Sequence, residues 1–225
     1  MNFLYRTIKN DILQGKIDPG QKLKEEELAL KYDTSRTPIR EVIQKLASEG
    51  LVHHEKNRGS YVRTYEFEDI INMYNLRAQI EGYASFLAAQ NAEESDIRLM
   101  EKSLADYKDI LSNVNNQPIE EVTLQCVENN NDFHLLIAKA SKNQEIPKVL
   151  KNLSAFPIMY RGFILYDVDG STSSLQFHAS ILNAIKNRDS IQAEALMRSH
   201  LLLGRDNIIK HMERTSKEEI ISPQL

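Results

Sequence analysis

From Phe67 to His211 the chain shows helical periodicity and no strand-like alternation. Apolar residues recur at three- and four-residue spacing through Phe67–Gln90, Glu93–Ser112, Ile119–Ala140, Ile146–Tyr166, Ser173–Asn187 and Ser190–His211. Pro118 and Asn143 separate several of these stretches, and Asp169-Gly170-Ser171 reads as a loop. Pro157 should kink or divide the fourth stretch, because a mid-helix proline removes a hydrogen bond and clashes with the preceding turn. Consecutive helices with short connections predict a six-helix antiparallel bundle. The polar tail after Met212 is expected to fray.

The segment before Phe67 is patterned differently. Leu4, Ile8, Ile12 and Leu13 repeat at helical spacing until Gly15 and Pro19-Gly20 end the pattern. Glu25 to Tyr32 reads as a short second helix, with Leu28 on its buried side, and Asp33-Thr34 as a turn. Ser35 then suits an N-cap, and Pro38 falls in the first helical turn, where its missing N–H costs nothing. Ile39, Val42, Ile43 and Leu46 mark one apolar face, and Gly50 suits the C′ stop. Leu51–His54 and Ser60–Arg63 flank Lys56-Asn57-Arg58-Gly59 as a hairpin. The expected fold is mainly α. Residues 1–64 form a winged helix–turn–helix, residues 65–215 an all-helical antiparallel domain, and residues 216–225 a frayed tail.

Charge divides along the same line. The net charge of -4 splits into +3 over residues 1–64 and −7 over the remainder, from 12 basic and 9 acidic residues against 16 and 23. A basic front and an acidic back suit a DNA-binding head on a body that does not touch DNA. No apolar run approaches a membrane span and no basic-apolar leader opens the chain, so no membrane partner and a cytoplasmic location are expected. Cys126 is the single cysteine, so an intrachain disulfide is excluded and a metal would need His and oxygen ligands.

Two sets of residues carry chemistry. Ser35, Arg36, Thr37 and Arg40 lie at the N-terminal end of the third helix, the part of a recognition helix that meets base edges. Arg36 and Arg40 are one turn apart and suit bidentate contact with guanine, while Ser35 and Thr37 can donate to phosphates. Arg58 and Gly59 in the wing can approach the neighbouring backbone or minor groove. In the body, Asn130 and His134 are four apart and project from one helix face, and His178 and His200 lie on two later helices among apolar neighbours. Three imidazoles and one oxygen suit Zn²⁺ or Ni²⁺, with positions left for water or ligand. Such a metal anchors a small carboxylate, and Arg77 offers that anion a second contact; the alternative for Arg77 is a surface pair with Glu81. Tyr107 and Arg161 are weaker pocket candidates.

The stretch Leu23–Val62 contains Glu27-Leu28-Ala29, Ser35-Arg36-Thr37-Pro38-Ile39-Arg40-Glu41, Glu49-Gly50-Leu51-Val52 and Arg58-Gly59-Ser60-Tyr61-Val62. It closely resembles the GntR family of bacterial transcription regulators. The resemblance implies operator contacts from Ser35, Arg36, Thr37, Arg40 and Gly59. It also brings a departure: some relatives carry a basic DNA contact on the second helix where this chain has Glu26. Residues 67–212 resemble the all-helical FCD effector domain, in its short six-helix form. The matching pieces are Leu76-Arg77-Ala78-Gln79-Ile80-Glu81, Asn130-Asn131-Asp132-Phe133-His134, Phe177-His178-Ala179 and Ser199-His200-Leu201. The resemblance implies a metal held by Asn130, His134, His178 and His200, although many relatives have aspartate at the first of these. Asparagine is a neutral, poorer donor, and Asp132 points off that face.

The resulting expectation is a homodimeric, non-enzymatic regulator on pseudo-palindromic operator DNA, controlled by a small organic acid. Two alternatives stay open: a body in which the metal is the signal or only folds the bundle, and a His-ligated metal hydrolase.

Overall fold

The computed structural model describes residues 2–13, 15–64, 66–153 and 168–221. The chain divides into two compact units, with the boundary between Glu66 and Phe67.

The first unit contains α1 (Asn2–Leu13), β1 (Lys22–Leu23), α2 (Glu25–Lys31), α3 (Arg36–Ser48), β2 (Val52–Glu55) and β3 (Gly59–Val62). Ile39, Val42, Ile43 and Leu46 are the buried side of α3, packed with Ile8, Ile12 and Leu28 in the core of this unit. Each such side chain contributes about 1.5–3 kcal/mol by leaving water. Ser35 is the N-cap residue, with extended backbone, although its hydroxyl makes no capping hydrogen bond. The far end of α3 closes as the sequence suggests. Gly50 adopts φ +78° and donates to the Ala47 carbonyl at 3.1 Å, and Leu51 N–H donates to Leu46 at 3.0 Å. This pair of bonds satisfies carbonyls that the helix end would otherwise leave open.

The hairpin pairs β2 with β3 antiparallel, Val52 opposite Val62 and Glu55 opposite Gly59. Gly59 is required at the wing tip: its φ of +114° lies where L-residues are strained, and an added Cβ would come within 3.2 Å of Lys22 Cε. β1 adds a third strand with Lys22 opposite Tyr61, giving the order β1-β3-β2. This strand is not apparent in the sequence pattern, because two residues are too few to show alternation.

The second unit contains α4 (Phe67–Asn91), α5 (Glu94–Ser112), a 3₁₀ turn (Val114–Asn116), α6 (Ile119–Ala140), α7 (Ile146–Asn152), α8 (Val168–Lys186) and α9 (Ser190–Ile221). Helix α4 packs along α9, α5 lies against α6 and α8, and α6 and α8 also meet α4. One correction concerns Asp169-Gly170-Ser171, which is the first turn of α8 rather than a loop. A glycine inside a helix costs only about 1 kcal/mol, and Asp is favoured near a helix N-terminus, so the tripeptide does not stop the helix. Helix α9 continues past Met212 to Ile221, through much of the segment whose polarity suggests fraying. Pro157 and Arg161 lie outside the described residues.

The buried residues Ala78, Gly82, Ser85 and Ala89 share one small-residue face of α4, and Gly82 on that face lies against α9. A Cβ at Gly82 would fall 2.7 Å from Arg198 Cγ and 3.1 Å from its Cδ. Gly82→Ala gains helix propensity of about 1 kcal/mol, yet it must push aside the root of a side chain on the packed partner helix, an overpacking cost of about 1–3 kcal/mol. The expected result is a lower urea midpoint than wild type. An unchanged or raised midpoint would show that the interface yields at this point.

Candidate metal centre and DNA-reading head

Three helices of the second unit bring one imidazole each to a common point: α6 supplies His134, α8 His178 and α9 His200. The ligand nitrogens all lie within 4.8 Å of one another. His134 Nε2 and His178 Nε2 are each 3.2 Å from His200 Nε2. Two nitrogens bound to one Zn²⁺ at about 2.0–2.1 Å and a tetrahedral angle lie about 3.3 Å apart, close to this spacing. Phe133 stacks on His178 with ring centroids 4.2 Å apart and planes 18° from parallel, and Phe177 packs beside His200 at 5.5 Å. These apolar rings fix the imidazoles.

A fourth helix orients the cluster. Glu81 on α4 hydrogen-bonds His134 Nδ1 through Oε2, and its Oε1 accepts from Arg77 Nε at 2.7 Å. Arg77, Glu81 and His134 are all buried. A carboxylate on Nδ1 places the imidazole proton there and leaves Nε2 with its lone pair, as metal-binding histidines require. The Arg77–Glu81 pair read from the sequence therefore exists, but in the interior rather than on the surface. Glu81 is a further site residue, which the sequence pattern alone does not single out.

Electrostatics follow from this packing. Burial raises the cost of a charged Glu81, but the Arg77 guanidinium and then His134 outweigh it and hold its carboxyl down to about 2. Burial, with His200 and His134 close by, pushes His178 well below its ordinary value. Burial, and after it His134, pushes His200 down to about 3, with Glu81 opposing. Both rings are therefore neutral at physiological pH and can offer lone pairs. Two N-to-N contacts converge on His200 Nε2, and His178 Nδ1 is buried with no hydrogen-bond partner among the described residues. The donor set fits a borderline divalent cation, which would use lone pairs that the imidazoles can only partly satisfy among themselves.

Asn130 is buried one helical turn before His134 on α6. Its Oδ1 lies 3.5 Å from Ser174 Oγ, on the turn of α8 that precedes His178. Tyr107 is fully buried, its ring 6.1 Å from that of His178.

In the first unit, Ser35, Arg36, Thr37 and Arg40 are exposed at the start of α3, and Arg58 and Gly59 are exposed in the wing. The two α3 arginines are not simply solvated. Arg40 pairs with Glu25, and Arg36 with Glu26, both from the first turn of α2. Hydrogen bonding to Arg40 also holds the Glu25 carboxyl below its ordinary value. Arg58 lies 3.5 Å from Glu55 across the wing turn.

The family model for bacterial regulatory proteins of the gntR family matches residues 1–62, and that for the FCD domain matches residues 72–203. The chain is 28% identical over 198 residues to the HTH-type transcriptional repressor RspR of Escherichia coli (strain K12), covering 88% of this chain and 84% of that protein. It is 25% identical over 223 residues to the HTH-type transcriptional regulator LutR of Bacillus subtilis (strain 168), covering 90% and 98%. Among solved structures, E. coli McbR/YncC superposes with a TM-score of 0.72 at 17% identity, over 93% of this chain and 96% of that one, which speaks for the fold alone. A winged head carrying the gntR match, followed by a helical body carrying the FCD match, makes this chain a member of the GntR family of transcriptional regulators with an FCD domain.

Proposed function

We propose that this regulator binds operator DNA through Ser35, Arg36, Thr37, Arg40, Arg58 and Gly59, and that a small organic acid bound at a metal centre in the body controls its operator affinity. The observation that carries the second half is the convergence of the His134, His178 and His200 Nε2 atoms, with Glu81 fixing the His134 tautomer. Asn130 would complete the donor set, and Zn²⁺ or Ni²⁺ suits three imidazoles and an amide oxygen. Such an ion supplies Lewis acidity that attracts a carboxylate. Arg77, which also holds Glu81 through Nε, is the proposed second contact for the same anion. Glu81 is already held by Arg77 and His134, which leaves it poorly suited as the general base of a hydrolase. Two copies joined through their bodies would match a pseudo-palindromic operator in the bacterial cytoplasm. Among the described residues no helix is long and apolar enough to cross a membrane.

The test is the melting temperature of metal-stripped protein against a grid of divalent ions and small carboxylates. A ligand that binds the native state at a hundred times its Kd adds about 2.7 kcal/mol of stability. The expected result is a rise with Zn²⁺ or Ni²⁺, and a further rise with one class of acid only when the ion is present. His134→Ala should abolish both. Absence of any ion-dependent rise in wild type would sink the metal centre. An ion-dependent change in operator affinity that no acid alters would replace the effector reading with metal sensing.

A further inference from the structure

The face of the head that carries Arg36 and Arg40 is not a bare basic surface. Arg40 donates from Nε to Glu25 Oε1 at 2.8 Å and from Nη2 to Glu25 Oε2 at 2.7 Å, a two-bond fork. Arg36 donates from Nη1 to Glu26 Oε1 at 2.8 Å, and its Nη2 lies 3.6 Å from Glu25 Oε2. Two cations from α3 face two anions from α2, so the local charge cancels.

A guanidinium has two forks of parallel N–H donors, one along its side (Nε and Nη2) and one at its end (Nη1 and Nη2). Glu25 occupies the side fork of Arg40. Among the described residues nothing hydrogen-bonds Arg40 Nη1, so the end fork remains for another planar acceptor pair. The O6 and N7 atoms of guanine are such a pair. An arginine already held in a fork loses less side-chain freedom on docking than a free one. The carboxylates that hold the arginines also repel phosphate, so a duplex that offers Arg40 no guanine meets the repulsion without the compensating bonds.

We infer that Glu25 and Glu26 are specificity-determining positioning residues of the DNA-reading head: Glu25 fixes Arg40 with its end fork outward for guanine, Glu26 draws Arg36 toward α2, and together they weaken binding to duplexes of the wrong sequence. This rests on the reading of Arg36 and Arg40 as DNA contacts.

The experiment selects binding sites for the full chain from a pool of duplexes with a randomised core, then compares the selected duplex with a scrambled one across a salt series. Wild type, Glu25→Gln, Glu26→Gln and Arg40→Ala are tested in parallel. Glutamine keeps the shape and removes the charge. Glu25→Gln is expected to reduce discrimination at one guanine of the site by on the order of ten-fold. Both glutamine variants should bind the scrambled duplex more tightly. They should also steepen the dependence of log K on log salt by up to about 0.9 for each arginine freed to meet a phosphate. Thermal midpoints should stay near wild type, because exposed ion pairs contribute little to stability. A Glu25→Gln protein that selects the wild-type site, with unchanged discrimination and salt slope, overturns the inference. An Arg40→Ala protein that selects the wild-type site instead overturns the DNA-contact reading beneath it, a separate result.

Discussion

Arg40→Ala is expected to cut the preference for operator over random duplex by roughly thirty-fold or more while the protein stays folded. Arg40 is exposed on α3, and its ion pair with Glu25 is also exposed, so its removal should cost little stability. Each lost bidentate guanine contact gives up about 1–3 kcal/mol of discrimination. In the proposed dimer on two half-sites that loss counts twice, roughly thirty-fold or more in specific affinity. Footprinting on a selected operator, with circular dichroism as the check on folding, measures this. Wild-type protection by the variant would remove Arg40 from the interface. A uniform loss on operator and random duplex alike would make Arg40 a phosphate contact rather than a base reader.

The second large effect is acid sensitivity of the metal-free protein. His200 falls from an ordinary 6.5 to about 3 in the folded chain, and His178 is also well depressed, both chiefly through burial. As pH drops below 6.5, the unfolded chain takes up protons that the folded one refuses. Stability from these rings is therefore full above 6.5 and is lost toward pH 3. Glu81 acts in the same direction lower down, from its ordinary 4.5 to about 2. The loss from His200 should be on the order of 3 kcal/mol, after allowing for solvent screening of a ring that is not wholly buried. Urea midpoints of chelator-treated protein from about pH 7 to about pH 4 read it out. A flat profile there would refute neutral, buried imidazoles. His200→Gln should flatten part of the slope in the metal-free protein. Metal loading should raise the neutral-pH midpoint and make the acid side steeper, since protons displace the ion from its ligands.

How much was legible beforehand depended on whether a feature is local. The stop of α3 at Gly50 needs only a glycine after an apolar face, and the structure forms it. The meeting of His134, His178 and His200 is legible through family resemblance together with helical phase, and the fold brings the three together. The pairing of β1 with β3 depends on a strand of two residues, too short for a periodic signal. The helical Asp169–Ser171 turn shows tertiary packing overriding a turn-like tripeptide. Glu81 carries a signal in its helical phase. Ile70, Tyr74, Arg77, Glu81, Ala84 and Ala88 fall on one buried stripe of α4, so an Arg–Glu pair within an apolar stripe had to point inward. The ties from Arg36 and Arg40 to Glu26 and Glu25 bridge two helices across a turn, and charge patterning within a single helix does not reveal them.

The site ties together four helices: α4 through Glu81, and α6, α8 and α9 through one histidine each. A slide of one helix by a single turn is about 5.4 Å, more than the 4.8 Å within which all three ligand nitrogens now lie. A metal held by the cluster, as proposed, would act as a register pin. With such a pin in place, the body could rotate or tilt its helices about that point but could not ratchet one past another. Amides flanking His134, His178, His200 and Glu81 should consequently open to hydrogen exchange together, as one cooperative unit, when the pin is drawn.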